Sequence, residues 1–150
     1  MTFAPHPIAV LYPERAPQQL VSLGQRTDLL AETGLEAVLV LEFTREFAQL
    51  TPEEFVRQVF VDALHAAVVV VGKDTRFGVR NSGDDGTLRE LGDRLGFEVV
   101  ALDDVGEGGR WSSSMVRTML AEGDVEAAAA VLGDRKSTRL NSSHTDISRM

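Results

Sequence analysis

The sequence predicts an α/β protein built on an open parallel sheet. Short apolar runs such as Ala66-Ala-Val-Val-Val-Val71 are predicted to be buried strands, because they are rich in β-branched residues, too short for helices and followed by glycine. Segments with helical signals at their starts and ends alternate with these runs along the chain. Such alternation is typical of a parallel sheet with helices packed against it.

The helices are predicted from their end signals. Thr51-Pro-Glu-Glu54 is a capping box with proline at the first helical position, and it opens a helix over 51–64. Glycine follows two further helices, predicted over 22–33 and 87–95. Two C-terminal helices are expected to start from caps at Ser112 or Ser113 and at Asp124, and to reach about residue 121 and residue 132.

Three apolar runs are predicted to be strands, over 36–43, 66–71 and 97–102. A sheet covered by helices on both faces hides its valines from water. The valines expected to be buried are Val38, Val40, Val69, Val71 and Val99.

Composition excludes several classes of function. The chain of 150 residues has no cysteine, so it can form neither a disulfide framework nor a thiolate metal site. Its three histidines have no metal-ligand spacing, and we expect no protein-held metal. A net charge of −8 argues against nucleic-acid binding. No apolar run approaches about 18 residues and no signal peptide is visible, which predicts no membrane partner and a cytoplasmic location.

Residues 134–150 differ in composition from the rest of the chain. They are polar and show no apolar periodicity, so they offer little surface for packing. We expect a single domain over 1–133 followed by a disordered tail. The tail is interpreted as extraneous sequence, with a natural polar tail as the alternative, and we assign it no function.

The loop after the strand at 66–71 combines glycines with charged side chains. Gly78 and Gly83 would let the backbone approach a ligand closely. Arg76 and Arg80 could each form paired hydrogen bonds with phosphate oxygens, and Arg76 is the favoured candidate. Asp74 could hydrogen-bond a ribose or amide group or help to hold Mg²⁺, or simply be a turn residue. Phe77 could pack on an aromatic ligand ring or belong to the core. The loop therefore predicts a site for a phosphorylated ligand.

Ser112, Ser113 and Arg117 are the candidates for phosphate binding near the C-terminus. A helix N-terminus presents free N–H groups and the positive end of the helix dipole. Arg117 is four residues beyond Ser113, so both project from one face of the predicted helix. The alternative is an ordinary serine cap with an exposed arginine.

Pro5, His6 and Pro7 are predicted to form an irregular, rigid loop, because the residue before each proline is driven away from helical geometry. His6 could contact a ligand or be structural. This loop, the 72–83 loop and the serine-capped helix would each follow a strand. Ligands of open α/β sheets lie at the carboxyl ends of the strands, so the three segments are expected to converge on one crevice.

Three ordered segments resemble the FAD synthetase (FMN adenylyltransferase) module of bacterial bifunctional riboflavin kinase/FAD synthetases. They are Thr2-Phe-Ala-Pro-His-Pro7, Gly72-Lys-Asp-Thr-Arg-Phe-Gly78 with Gly83-Asp84, and Ser112-Ser-Ser-Met-Val-Arg117. Thr75 replaces the usual aromatic residue and Ser114 the usual threonine. The resemblance extends from Thr2 to about Gly133.

The resemblance implies a Rossmann-like nucleotidylyltransferase fold and transfer of an adenylyl group from ATP to FMN, with Mg²⁺ carried by the triphosphate. Arg117 with Ser112 and Ser113 would hold phosphates, and the loop of Asp74 and Arg76 would orient the nucleotide or flavin. Pro5, His6 and Pro7 would lie at the nucleotide or flavin site.

Family members begin with a strand, a G-x-F-D-G-x-H-x-G-H loop and a helix, and they end with a riboflavin kinase module. Neither is found in the printed sequence, so a partial domain that is inactive alone is expected. The alternatives are another nucleotidylyltransferase of the same fold, acting on a pantetheine or nicotinate phosphate, or a non-catalytic flavin- or nucleotide-binding module.

Overall fold

The computed structural model describes residues 1–103 and 111–133. The chain divides into two compact units, Met1–Val105 and Gly106–Met150. The first unit holds all the strands of the described part of the chain, and the second holds two helices. The predicted tail over 134–150 lies outside the described residues.

Two pairs of parallel strands form the sheets of the first unit. Strand β1 (Thr2–Ala4) pairs with β2 (Val40–Glu42), with Phe3 opposite Leu41. Strand β3 (Val68–Gly72) pairs with β4 (Glu98–Leu102), with Val70 opposite Val100. The predicted α/β class with parallel strands is confirmed, and within the described residues the four strands form two separate pairs.

Four helices of the first unit connect these strands. The helices predicted over 22–33 and 51–64 each start one residue after the predicted first residue. Thr51 with Glu54 forms the predicted capping box, and Ser22 with Gln25 forms a further one. The helix predicted over 87–95 starts two residues earlier, since Asp84 is its cap. The helices are α1 (Pro7–Leu11), α2 (Leu23–Glu32), α3 (Pro52–Val56, continued by a π-helical stretch over Arg57–Ala63) and α4 (Asp85–Leu95).

The second unit contains the two predicted C-terminal helices, α5 (Ser113–Ala121) and α6 (Val125–Leu132). The side chain of Ser112 caps α5, and that of Asp124 caps α6. Gly133 ends α6 with a φ of +66°, a left-handed conformation that glycine adopts without strain.

The core of the first unit lies between α3, α4 and the β3–β4 pair. One face of α3 and its continuation supplies the largest share, and these side chains pack on the inward residues of the strands. The core residues are Phe55, Val56, Val59, Phe60, Val69, Leu88, Leu91, Phe97 and Val99. Edge-on aromatic contacts join Phe55 to Phe60 and Phe60 to Phe97.

The prediction of five buried valines is correct for Val69 and Val99 and wrong for Val40, which is exposed; Val38 and Val71 are half-buried. The reason is the two-residue period of a strand, which turns successive side chains to opposite faces. Only one face of each strand pair meets the core. On β3, Val69 is buried while its neighbours Val68 and Val70 are 50% and 57% exposed.

Candidate functional site

A cavity of about 400 Å³ lies in the first unit, at the carboxyl ends of its strands. Pro7 and Ile8 follow β1, Phe43 and Phe47 follow β2, and the segment 75–78 follows β3, so three strand ends contribute to its wall. This is where open α/β sheets bind ligands.

The cavity brings together part of the predicted site. Pro7, Arg76, Phe77 and Gly78 line it, so the first loop and the 72–83 loop converge as expected. Pro5, His6, Asp74 and Gly83 are not among its lining residues.

Seven of the twenty residues that line the cavity are aromatic. Phe3 packs edge-on against Phe43 at 5.5 Å between ring centroids, Phe43 against Phe47 at 5.7 Å, and Phe47 against Phe55 at 5.8 Å. Phe77 continues this series with a tilted contact to Phe55 at 5.7 Å. Phe77 therefore both packs on the core and faces the cavity, and the wall suits a flat aromatic ligand.

Of the aromatic residues of this wall, only Phe77 was predicted at the site; the others are Phe3, Tyr12, Phe43, Phe47, Phe55 and Phe60. Phe43 follows β2 directly, so its position after a strand is a signal that could have indicated it. Tyr12 and Phe47 carry no comparable signal, because their approach to the cavity depends on how the chain folds back beyond α1 and β2.

The two glycines predicted to approach a ligand have a packing role. Gly78 has a φ of +72°, and a Cβ there would lie 2.8 Å from the backbone nitrogen of Pro52. Gly83 is buried beneath Phe77, where a Cβ would lie 2.8 Å from the ring. Both positions need glycine because protein atoms already occupy the space of a side chain.

Arg76 has a charged partner within the protein. Its Nη1 donates to Oδ2 of Asp84 at 3.2 Å. The other oxygen of Asp84 caps α4 by accepting from the backbone N–H and the hydroxyl of Thr87, each at 2.9 Å. The Thr87 backbone N–H, then its hydroxyl and Arg76, lower the pKa of Asp84. Arg76 thus helps to hold the loop against the start of α4.

The Pro5-His6-Pro7 segment is irregular at Pro5 and His6, as predicted, and differs from the prediction at Pro7. Pro7 is the first residue of α1, which proline tolerates because the N–H it lacks would be unpaired there anyway. His6 precedes it in extended geometry, and its Nδ1 accepts from the backbone N–H of Ile8 at 3.2 Å. The described role of His6 is therefore a helix cap, and its part in ligand binding stays a prediction.

Asp74 lies exposed in the turn that follows β3. The turn is closed by the backbone N–H of Thr75, which donates to the carbonyl of Gly72 at 3.0 Å. The location agrees with the interpretation of Asp74 as a turn residue, and its predicted contact with a ligand stays a prediction.

In the second unit, the cap of α5 is Ser112 and not Ser113, the two residues between which the prediction left the choice open. The Oγ of Ser112 accepts from the backbone N–H of Met115 at 3.2 Å, whereas Ser113 is exposed at the first helical position. Arg117 lies half-buried in the middle of α5. The predicted roles of Ser112, Ser113 and Arg117 in phosphate binding stay predictions.

Residues 1–103 and 111–133 contain neither a cluster of metal-ligating side chains nor a helix that could span a membrane. No group of three or more histidines and carboxylates in these ranges is placed to hold a metal ion. No helix within them combines the length and apolarity needed to cross a membrane.

The chain is similar to bacterial riboflavin kinase/FMN adenylyltransferases. It is 36% identical over 134 residues to the bifunctional riboflavin kinase/FMN adenylyltransferase of Escherichia coli K12, covering 89% of this chain and 43% of that protein. The Listeria monocytogenes protein of the same description is 32% identical over 148 residues, with coverages of 97% and 46%. The chain thus spans less than half the length of these relatives.

A solved structure shares the fold. A crystal structure described as a macrolide-efflux protein from Streptococcus pneumoniae superposes with a TM-score of 0.73 at 28% identity, covering 87% of this chain and 42% of that one. The sequence pattern described as FAD synthetase matches residues 1–116. These findings confirm the resemblance to this family, and the chain belongs to the FAD synthetase family.

Proposed function

We propose that the complete protein to which this chain corresponds is an ATP:FMN adenylyltransferase. A phosphate oxygen of FMN attacks the α-phosphorus of ATP, pyrophosphate leaves, and FAD is formed. The observation that carries the proposal is the aromatic cavity at the carboxyl ends of β1, β2 and β3, in a chain of the FAD synthetase family. A wall of phenylalanine rings suits the isoalloxazine ring of a flavin.

The proposed roles follow the chemistry of each residue. Adenylyl transfer asks the protein mainly to position two anions and to stabilise developing charge. Arg117 and the α5 N-terminus with Ser112 and Ser113 would contact the triphosphate, with Mg²⁺ carried by the nucleotide. Pro5, His6, Pro7 and Asp74 would contact flavin or nucleotide, while Gly78 and Gly83 shape the loop beside Phe77.

Domain boundaries, partners and location complete the proposal. Residues 1–133 would form part of an FAD synthetase domain, and 134–150 would add nothing to it. Relatives are named as bifunctional with a riboflavin kinase, and we propose such a module as a partner in the complete protein. The location would be the cytoplasm, where ATP and FMN are available.

Flavin binding by the 150-residue chain tests the cavity. We expect the fluorescence of FMN to be quenched on titration with the purified chain, because flavins lose emission when they stack on aromatic side chains. FMN that keeps its full emission and passes freely through equilibrium dialysis would contradict the assignment of the cavity to flavin.

Catalysis is tested in a chimera that carries residues 1–133 in place of the matching segment of the Escherichia coli relative. We expect FAD to form from FMN and ATP with Mg²⁺. Use of a pantetheine or nicotinate phosphate in place of FMN would favour another nucleotidylyltransferase. Flavin binding without any turnover in a folded chimera would favour a non-catalytic module.

A further inference from the structure

Two arginines line the cavity, and they differ in their electrostatic surroundings. The charge of Arg76 is balanced by Asp84, which its guanidinium contacts at 3.2 Å. Arg80 is exposed, lines the same cavity, and has no ion-pair partner among the residues that the structure describes. Arg80 is therefore the cation whose charge is available to a ligand.

The backbone at Arg80 is held in an uncommon conformation. Arg80 and Asn81 have φ values of +54° and +55°, in the left-handed region that is strained for a residue with a Cβ. Surrounding hydrogen bonds fix this turn: Val79 N–H donates to the carbonyl of Leu50 at 2.7 Å, and Asn81 N–H to that of Gly78 at 3.0 Å. The turn therefore presents Arg80 at the cavity from a constrained backbone.

We propose that Arg80 recognises the phosphate of FMN and makes the cavity selective for FMN over riboflavin. This inference rests on the proposed function. The two flavins share the isoalloxazine ring that the phenylalanine wall would contact, so that wall alone cannot separate them. They differ in the terminal phosphate. A guanidinium forms stronger hydrogen bonds with a charged phosphate than with a neutral hydroxyl.

The sequence favours Arg76 over Arg80 as the phosphate ligand of this loop. In the structure, however, the guanidinium of Arg76 already pairs with the Asp84 carboxylate, whose negative charge would repel a phosphate. Arg80 has no such competing partner among the described residues. A phosphate at the cavity would therefore bind Arg80 more favourably than Arg76.

The test compares FMN and riboflavin binding to the 150-residue chain and three variants. Arg80→Asn removes the charge and keeps a residue that tolerates the left-handed conformation, so the turn is preserved. Arg80→Lys keeps the positive charge and loses the planar guanidinium that can donate two parallel hydrogen bonds. Arg57→Asn is the matched control, since Arg57 is exposed on the continuation of α3 and does not line the cavity.

We expect the unchanged chain to bind FMN about 10-fold or more tightly than riboflavin, the scale of a hydrogen bond to a charged group. Arg80→Asn should lower FMN affinity by that factor and leave riboflavin affinity unchanged. Arg80→Lys should keep part of the preference, Arg57→Asn all of it, and added salt should weaken it.

Four results would overturn the inference. Equal affinity of the unchanged chain for both flavins, or a preference that survives in Arg80→Asn, would remove Arg80 from phosphate recognition while flavin binding stands. Loss of ATP binding in Arg80→Asn with FMN binding intact would assign the residue to the nucleotide. Failure of the chain to bind either flavin would overturn the proposed cavity ligand and this inference together.

Discussion

Phe77 and Gly83 form an isolated antiparallel pair that closes the loop beside the cavity. The N–H of Phe77 donates to the carbonyl of Gly83 at 3.1 Å, and the N–H of Gly83 donates back at 2.9 Å. The phenylalanine ring covers the glycine so closely that a Cβ would lie 2.8 Å from Cζ. The cavity wall at Phe77 and the turn that carries Arg80 therefore depend on glycine at position 83.

Gly83→Ala is expected to lower the free energy of unfolding by about 1–3 kcal/mol, the usual cost of forcing an extra methyl group into a packed site. Gly86→Ala is the matched control. It introduces the same methyl group in the first turn of α4, where the nearest atom would be 3.5 Å away, and it should stabilise the protein by about 0.5–1 kcal/mol. Urea unfolding measures both changes. Equal midpoints for Gly83→Ala and the unchanged chain would contradict the close packing.

Asp84→Asn tests the ion pair with Arg76 through pH. The pKa of Asp84 is lowered in the folded state from its model-compound value of 3.8, so its carboxylate stabilises the protein above that pH. The stabilisation is lost as pH falls through the folded pKa. Asparagine still caps a helix but carries no charge.

We therefore expect Asp84→Asn to be less stable than the unchanged chain at pH 7 and equally stable well below pH 3.8. Urea midpoints of both proteins at a series of pH values measure the difference in stability. The other carboxylates are the same in both proteins, so their titration cancels in this difference. A difference that does not change with pH would show that the charge of Asp84 does not contribute.

Local signals were enough to predict most helices and strands. The capping box at Thr51 forms in full, with the Thr51 N–H donating to Glu54 at 2.8 Å and the Glu54 N–H to Thr51 at 3.2 Å. Such signals lie within four residues of each other, so the sequence displays them directly. For the same reason the strand over 68–72 and the caps at Ser112 and Asp124 were predictable.

Contacts between distant segments were not predictable in the same way. The partner of Arg76 is Asp84, eight residues away across a closed turn, and nothing in the spacing indicates that pair. The exposure of Val40 depends on which face of its strand meets the core. The aromatic wall combines Phe3, Phe43 and Phe77, which come together only when three strand ends meet.

Ser112→Ala tests the cap of α5. The lost hydrogen bond from the Met115 N–H should cost about 1 kcal/mol of local helix stability. Ser113→Ala is the control, because Ser113 is exposed and already helical. Amide hydrogen exchange at Met115 and Val116 provides the local measurement. We expect faster exchange in Ser112→Ala only, and equal exchange in both variants would contradict the assignment of the cap.

Tyr12→Ala tests the aromatic wall without disturbing the core. Tyr12 is 53% exposed and lines the cavity, so its loss should change the free energy of unfolding by less than about 1 kcal/mol. An aromatic contact with the flavin ring would be lost, and FMN affinity should fall by about 2- to 10-fold. Leu29→Ala, equally exposed on α2 and outside the cavity lining, should leave affinity unchanged. Fluorescence titration measures the FMN affinity of both variants. An equal loss of affinity in Tyr12→Ala and Leu29→Ala would contradict a direct contact between Tyr12 and the flavin.

Arg117→Ala is tested in the chimera with the Escherichia coli relative, where turnover can be measured. If the guanidinium stabilises charge on the triphosphate, the rate of FAD formation should fall by about 10²-fold, the scale seen when one preorganised donor is removed. Arg117→Lys should recover part of that rate, because it keeps the charge but not the forked geometry. Circular dichroism and the urea midpoint check that each variant is folded. Full activity in a folded Arg117→Ala chimera would refute the phosphate role, since a residue that only supports α5 would alter stability and leave the rate per folded molecule unchanged.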